Sequence, residues 1–393
     1  MKEISEIILK SENIWIYGAG KIGKRVCLLL ETFDIDIKGI IVTHLSGNQK
    51  DVYGHKVFSA DDERIGKDDC IIVAVNDDPQ KEIMNYLMEN GFRNYHAWNE
   101  SCINEIWYTQ EHKFIDRRKH HKKACFILAG YKRFLWENVF ERLERYIPMD
   151  IDVCICSSGK YSLELENIAE KNGWSYICTD RNSVTLIQNI AFSLFDDADW
   201  IYKMDEDIFV TDGLFERVYE TYNIAEHGSE YHIGFAAPLI PVNGYGYKKI
   251  LKKYDCLTEY EGLFGKAYIG GNPKSEIERN PDSAKYMWGN KRIPTIDVIA
   301  EDVRGGGYSF CNVRFSIGFI LFRRNLWERM EGYSVIGGNG DLGADEADLC
   351  GWCMNESEAI VVAENAVAGH FSFGKQTAEM RKYMEEHPER FRA

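Results

Sequence analysis

Three carboxylates stand side by side at Asp205-Glu206-Asp207, where the apolar run Trp200-Ile201-Tyr202-Lys203-Met204 ends and before Ile208-Phe209-Val210 and the turn at Asp212-Gly213. Adjacent acids repel one another, so a strand end that collects them calls for a cation to offset the charge. A divalent ion bridging a diphosphate would do so, and it would neutralise the leaving group of a nucleotide-activated substrate. The competing account is a solvated acidic turn, which is common at protein surfaces. Further along, Asp345-Glu346 and Asp348 open a helical stretch. These acids read as caps that favour the helix macrodipole or as a base that accepts a proton from a hydroxyl. His370 lies in the apolar stretch Ala359 to Phe373 and reads as a hydrogen-bonded core residue or, as neutral imidazole, a metal ligand complementing Asp207. Cys350-Gly351-Trp352-Cys353 has zinc or redox spacing, but no second pair follows, which favours buried helix thiols.

The elements that must position these residues follow a βα rhythm. Strands are expected at Ala124-Leu128, Ile151-Cys156, Ser175-Cys178 and Trp200-Met204, with helices at Phe134-Tyr146, Leu163-Asn172 and Thr185-Phe195 between them. Repeated βα units bring the strand C-termini to one edge of a parallel sheet, where such folds bind ligands. Asp205 and Asp207 fall on that edge, as do the loops Ala129-Gly130-Tyr131-Lys132-Arg133 and Ser157-Ser158-Gly159-Lys160. Between Ile240 and Phe315 the pattern is irregular, with Trp288, many tyrosines and several glycine clusters. Such a segment reads as a binding loop whose aromatics stack on sugars, or as an insertion without a role.

An earlier unit is visible in the first hundred residues. Ile14-Trp15-Ile16-Tyr17 is a buried strand, followed by Gly18-Ala19-Gly20-Lys21-Ile22-Gly23 and a helical pattern. Gly18 serves the turn, Gly20 the approach of a phosphate to the backbone and Gly23 helix packing, with the helix N-terminus attracting the anion. The second strand ends in Thr43-His44 rather than in the acid that grips the adenosine ribose of NAD, which argues against a working dehydrogenase. Three or four parallel strands are expected. The pattern turns polar from Asn99 and ends in the basic run Asp116-Arg117-Arg118-Lys119-His120-His121-Lys122-Lys123. The chain therefore divides into a module over 1–105, a linker over 106–122 and a larger domain over 123–393.

Composition sets the bounds. A chain of 393 residues that is 45% hydrophobic and 28% charged is a soluble globular protein of two domains. A net charge of −15 disfavours nucleic acid and anionic lipid as partners. Eleven scattered cysteines fit reduced thiols better than a disulfide framework. The start, Met1-Lys2-Glu3-Ile4-Ser5-Glu6, has no signal-peptide pattern, so a cytoplasmic location is expected, with the inner membrane face and a homo-oligomer left open.

From about Lys123 onward the chain resembles the GT-A glycosyltransferases, nearest to the family-2-like inverting enzymes. The resemblance rests on Asn182 and Gln188-Asn189 ahead of the acids, Asp205-Glu206-Asp207 at the DxD position, Ser316 to Arg324 before the acceptor site, Gly343 to Leu349 at the catalytic helix and Gly369-His370-Phe371. It implies an α/β fold in which a small Rossmann-like parallel sheet precedes a GT-A domain. It also implies Mn2+ or Mg2+ on Asp207, Asp205 and His370, with Glu346 or Asp345 as the base. Ala129, Gly130, Tyr131, Ser157, Asn182, Asn189, Asp205 and Glu206 would meet the nucleotide-sugar. Two departures are Ser157-Ser158 in place of an aspartate on the base, and Asp345-Glu346 in reversed order. The first unit is similar to the small module that precedes bacterial sugar acyltransferases, through Gly18 to Gly23, Tyr53 to Val57 and Val73 to Asp77. There Gly18, Gly20, Lys21, Ile22 and Gly23 would face a phosphorylated ligand, or the module would serve only for packing.

The expected function is transfer of a sugar from a nucleotide-sugar to a hydroxyl of a glycan or lipid-linked glycan in bacterial surface polysaccharide synthesis. The alternatives are a nucleotide-sugar-binding regulatory protein without catalysis, and a bifunctional enzyme whose first domain modifies the donor.

Overall fold

A computed structural model describes residues 4–99, 102, 110–270, 275–335 and 342–392. The chain forms two compact units, Met1–His112 with Ser334–Asp341, and Lys113–Tyr333 with Leu342–Ala393. The expected boundary at 105 falls outside the described residues. No helix among the described residues is long and apolar enough to cross a membrane.

In the first unit, strands β1 (Ile14–Tyr17), β2 (Gly39–Val42), β3 (Asp51–Val52), β4 (His55–Ser59), β5 (Cys70–Val73) and β6 (Tyr95–Ala97) form a six-stranded sheet in the order β3-β4-β2-β1-β5-β6. All pairings are parallel except β3 with β4. The continuous apolar runs of β1, β2 and β5 are fully buried, as expected of strands covered on both faces. The sheet is wider than the three or four strands read from sequence because β3 and β4 are short and partly exposed, and so lack that apolar signature. Gly18 has φ +126°, and a Cβ there would lie 2.6 Å from the Ala74 carbonyl oxygen. A Cβ on Gly23 would lie 1.8 Å from the Gly18 carbonyl oxygen, so glycine is what lets helix Lys21–Thr32 start against the turn.

The second unit is built on ten strands: β7 (His112–Ile115), β8 (Lys123–Leu128), β9 (Ile151–Ser158), β10 (Ser175–Thr179), β11 (Trp200–Asp205), β12 (Ile208–Val210), β13 (Ile233–Leu239), β14 (Tyr308–Cys311), β15 (Phe319–Arg323) and β16 (Ala359–His370). Their order is β12-β16-β13-β15-β11-β8-β9-β10-β7, with β14 on β16. Strands β10, β9, β8 and β11 run parallel, and β15 then pairs antiparallel to β11. The four parallel strands therefore end on one edge, with Asp205 at the end of β11. Helices Trp136–Tyr146, Leu163–Asn172 and Val184–Leu194 connect them, the last two capped by the Ser162 and Ser183 side chains. Helix Val184–Leu194 is buried along almost its whole length, and its Phe192 meets Phe126 of β8 edge-on at 4.7 Å between ring centres.

Two expectations need correction. Residues 113–122 of the segment read as a linker are built into the second unit. β7 closes the sheet beside β10, and the buried Asp152 carboxylate accepts from the Lys119 and His121 amides at 2.8 Å each. Its basic side chains gave it the look of a linker, while its backbone supplies the donors that a buried acid requires. The irregular stretch after Ile240 holds helices Gly246–Lys253, Leu257–Phe264, Glu276–Arg279, Pro281–Trp288 and Ile296–Asp302. They are too short to show a clear helical period. Trp288, read as a sugar-stacking candidate, is 1% exposed and packs on Phe209 and Phe391, with its indole N–H on the His370 and Phe371 carbonyls.

Candidate functional site

The three adjacent acids have three different environments. Alternation along an extended chain sends successive side chains to opposite sides, and the turn between β11 and β12 completes the separation.

Glu206 points into the loop after β8. Its carboxylate accepts from the amides of Gly130, Tyr131 and Lys132, each at 2.9 Å, and from the Trp136 indole N–H at 2.6 Å. It is 6% exposed. A carboxylate satisfied in this way braces the loop and has little capacity left for a ligand, which disfavours the expected contact of Glu206 with a nucleotide-sugar. In that loop Gly130 has φ +154°, and Ala129 is buried. Tyr131 is 58% exposed, its hydroxyl donates to the Ser158 carbonyl at 2.8 Å, and the Lys160 ammonium lies 4.1 Å from its ring centre. A planar ring with a cation beside it, at the end of a parallel sheet, is a surface on which a base and phosphate can sit.

Asp207 is 2% exposed and pairs with two cationic groups. His370 Nε2 lies 3.3 Å from its Oδ2, and the Lys132 ammonium donates to the same oxygen. Burial alone would raise this carboxyl, yet the charges of His370 and Lys132 outweigh it and hold it well below the usual carboxylate range. For His370 the burial penalty is likewise outweighed by Asp207, which raises the imidazole above its ordinary value. The His370 Nδ1 faces the Val242 carbonyl at 2.9 Å. With a proton on Nδ1 for that carbonyl, Nε2 is the nitrogen that donates to Asp207 while the ring is charged, and loss of the Nε2 proton would free its lone pair for a metal.

Asp205 is turned toward Lys203, whose ammonium lies 2.7 Å from Asp205 Oδ1 and 3.5 Å from Asp345 Oδ2, and donates to the Ile317 carbonyl at 3.0 Å. Burial, with the Asp207 and Asp345 charges nearby, pushes Asp205 up to about 6, with Lys203 pulling the other way. Of the three expected metal ligands, Asp207 and His370 come together, while the Asp205, Asp207 and His370 donor atoms do not close to within 4.8 Å of one another. The reason is electrostatic, since the buried Lys203 charge holds Asp205 to its own side.

Helix Ala344–Asn355 places the two candidate bases differently. Asp345 is 4% exposed and accepts from Gln188 Nε2 at 3.1 Å, besides its contact with Lys203. Glu346 lies at the more open position and is held by the Arg314 guanidinium.

Asn189 and Ser157 were expected to meet the nucleotide and are used internally. Asn189 is fully buried; its Oδ1 accepts from Trp327 Nε1 and the Tyr333 amide, and its Nδ2 donates to the Tyr333 carbonyl at 2.8 Å. The Ser157 hydroxyl donates to the Lys160 carbonyl at 2.9 Å and is buried. Asn182 lies against Gly159, where a Cβ on the glycine would approach within 2.5 Å of the asparagine Cβ. Lys132, Lys203 and Arg314 were not singled out as site residues from the sequence. A lysine inside an otherwise apolar strand was the available signal for Lys203, and a place in the loop after β8 that for Lys132; Arg314 gave none.

In the first unit Gly18 and Gly23 shape the turn, while a Cβ on Gly20 would meet nothing within 4 Å. Gly20 caps helix Lys21–Thr32, which places Lys21 and Ile22 in its first turn.

No family model matches the chain, and no curated protein matches it. Among solved structures, glucosyl-3-phosphoglycerate synthase from Mycobacterium tuberculosis, in complex with Mn2+, UDP and glucosyl-3-phosphoglycerate, is 10% identical over 75% of this chain and 85% of its own, with a TM-score of 0.35. A mannosyltransferase from Pyrobaculum calidifontis with GDP-Man and Mn2+ is 11% identical over 73% and 68%, with a TM-score of 0.37. A CMP-2-keto-3-deoxy-manno-octonic acid synthetase with CTP is 13% identical over 67% and 99%, with a TM-score of 0.33. Overlaps of this size establish no shared activity.

Proposed function

We propose that the second unit is a metal-dependent glycosyltransferase of the GT-A kind, moving a sugar from a nucleotide-sugar to a hydroxyl acceptor on a glycan or lipid-linked glycan with inversion. The observation that carries this reading is the Asp207–His370 pair beyond the end of β11, next to the Glu206-braced loop at the end of β8. A buried carboxylate and an imidazole fit a Mn2+ or Mg2+ ion that keeps several waters and takes its remaining ligands from a diphosphate. Bound there, the ion would supply charge neutralisation for the departing diphosphate.

The chain's own residues account for the other requirements. Tyr131 and Lys160 offer a face and a charge to the nucleotide. Glu346 stands at the start of its helix as the group that takes the acceptor proton, with Arg314 setting its direction. Asp345, buried against Lys203 and Gln188, positions that helix start and is the weaker candidate for the base.

A second reading is a nucleotide-sugar-binding protein without transfer. It is favoured by the Lys132 ammonium on Asp207, which already offsets the charge a metal would offset. The purified full chain, offered UDP-, GDP- and CDP-sugars with Mn2+ or Mg2+, separates the two. Metal-dependent release of nucleoside diphosphate from one donor class supports transfer. Saturable binding with no release, unaffected by metal, supports the second reading.

A further inference from the structure

We propose that the first unit carries a site for a soft divalent cation of the Zn2+ class, formed by Cys27 Sγ, the Glu31 carboxylate and His55 Nε2. Their donor atoms all lie within 4.8 Å of one another, and no other set of three or more His, Cys, Asp and Glu does so among the described residues.

The fold brings the donors together from two elements. Cys27 and Glu31 are four apart on helix Lys21–Thr32, so they share one face of it. His55 opens β4 directly after the Tyr53-Gly54 turn, where the Gly54 amide donates to Asp51 Oδ1 at 2.9 Å. Cys27 is fully buried, while the His55 and Glu31 side chains are 20% and 39% exposed, so the sulfur forms the floor and the other two the rim.

The donor chemistry selects the ion. A thiolate and an imidazole disfavour Mg2+ and Ca2+, which prefer oxygen, and all three donor types here are ones that Zn2+ accepts. Tetrahedral bonds of about 2.0–2.3 Å put neighbouring donors about 3.3–3.8 Å apart. His55 Nε2 and Glu31 Oε1 are now in hydrogen-bond contact at 2.6 Å. An ion between them would part that pair by about 1 Å, a shift that Glu31, the most exposed of the three, is free to make. Binding replaces the thiol proton, which passes to solvent, and leaves the fourth position open on the exposed side. The ion would fasten the helix that begins at the Gly18–Gly23 turn to the strand beside it. Without an ion, the same three groups are a hydrogen-bonded His55–Glu31 pair above a buried thiol.

Titration of the full chain with Co2+ tests this. The expected result is a thiolate-to-cobalt charge-transfer band with tetrahedral ligand-field bands, displaced by Zn2+. Cys27→Ser removes the charge-transfer band, and His55→Ala weakens Zn2+ binding at least about tenfold. Asp207→Ala leaves the band unchanged, which separates this site from the transferase site. Should Cys27→Ser fail to fold, His55→Ala decides, since it alters a rim residue. Absence of the band in the unaltered protein, its survival in folded Cys27→Ser, or unchanged Zn2+ affinity in His55→Ala overturns the site.

Discussion

The Lys203 ammonium lies 3.5 Å from Asp345 Oδ2, joining the strand that delivers the acids to the helix that carries the candidate base. Lys203 is 2% exposed and has Asp205 as its nearer partner at 2.7 Å. Breaking a buried pair by removing one member leaves uncompensated charge, at a cost of about 3–5 kcal/mol. Lys203→Met should therefore lower the urea midpoint by an amount corresponding to roughly 3 kcal/mol or more. A midpoint equal to that of the unaltered protein would show that the two carboxylates do not depend on this lysine.

Glu206→Gln tests the division of labour among the acids. The substitution keeps the shape but turns an amide N–H toward backbone donors, and each charge-assisted bond it weakens is worth about 1.5–3 kcal/mol. Stability should fall by roughly 2–4 kcal/mol. Limited proteolysis should cut the 129–132 loop sooner, and nucleotide affinity should drop although Glu206 faces away from the ligand surface. Normal stability with lost affinity would place Glu206 in direct contact with the nucleotide instead.

Asp207→Asn is expected to abolish the dependence of nucleotide binding on Mn2+, measured by calorimetry with and without the metal, and to cut transfer by about a hundredfold or more through loss of charge stabilisation. His370→Ala should weaken Mn2+ binding while leaving metal-free nucleotide affinity near its starting value. If both variants bind and react as the unaltered protein does, Lys132 is the operative cation on Asp207.

How much of this was readable in the chain follows from burial. β1, β2, β5 and β8 are essentially continuous apolar runs and β11 is interrupted only by Lys203 before its terminal acid, so their existence is plain from the residues alone. β7 and β4 are half-exposed and polar, and the short helices described between Ile240 and Phe315 carry too few turns for a period to emerge. In the site, the crowding of acids at the end of β11 is a sequence property, but their separate orientations are not. Glu206 turns inward because free amides wait in a loop seventy-odd residues earlier, and Asp205 turns aside toward the buried Lys203 ammonium two residues before it. Asn189 shows the same limit. It looks like a ligand contact until the Trp327 and Tyr333 groups that consume its amide are brought in by the fold.

Glu346→Gln and Asp345→Asn should fail in different ways. General base catalysis contributes about 10²–10⁴ in rate, so Glu346→Gln should lose turnover on that scale with donor affinity intact. Asp345→Asn should instead lower stability, since it removes charge opposite Lys203 and disturbs the Gln188 contact. A reversed outcome, with Asp345→Asn folded and inactive and Glu346→Gln active, would reassign the base.

The glycine turn of the first unit offers a comparison within six residues. A Cβ on Gly23 would sit 1.8 Å from the Gly18 carbonyl oxygen, whereas one on Gly20 would meet nothing within 4 Å. Gly23→Ala must push the helix off the turn, a clash of the kind that costs several kcal/mol, and should unfold the first unit's transition at a clearly lower temperature. Gly20→Ala changes a helix cap in open space and should shift stability by no more than about 1 kcal/mol. That asymmetry makes Gly20→Ala a probe of ligand binding rather than of folding. If a phosphorylated ligand approaches the backbone at this turn, the added methyl should weaken its binding to the full chain by about tenfold or more while the melting temperature moves by no more than that small loss of cap stability allows. Equal affinity in the two proteins would mean that the turn serves helix packing alone.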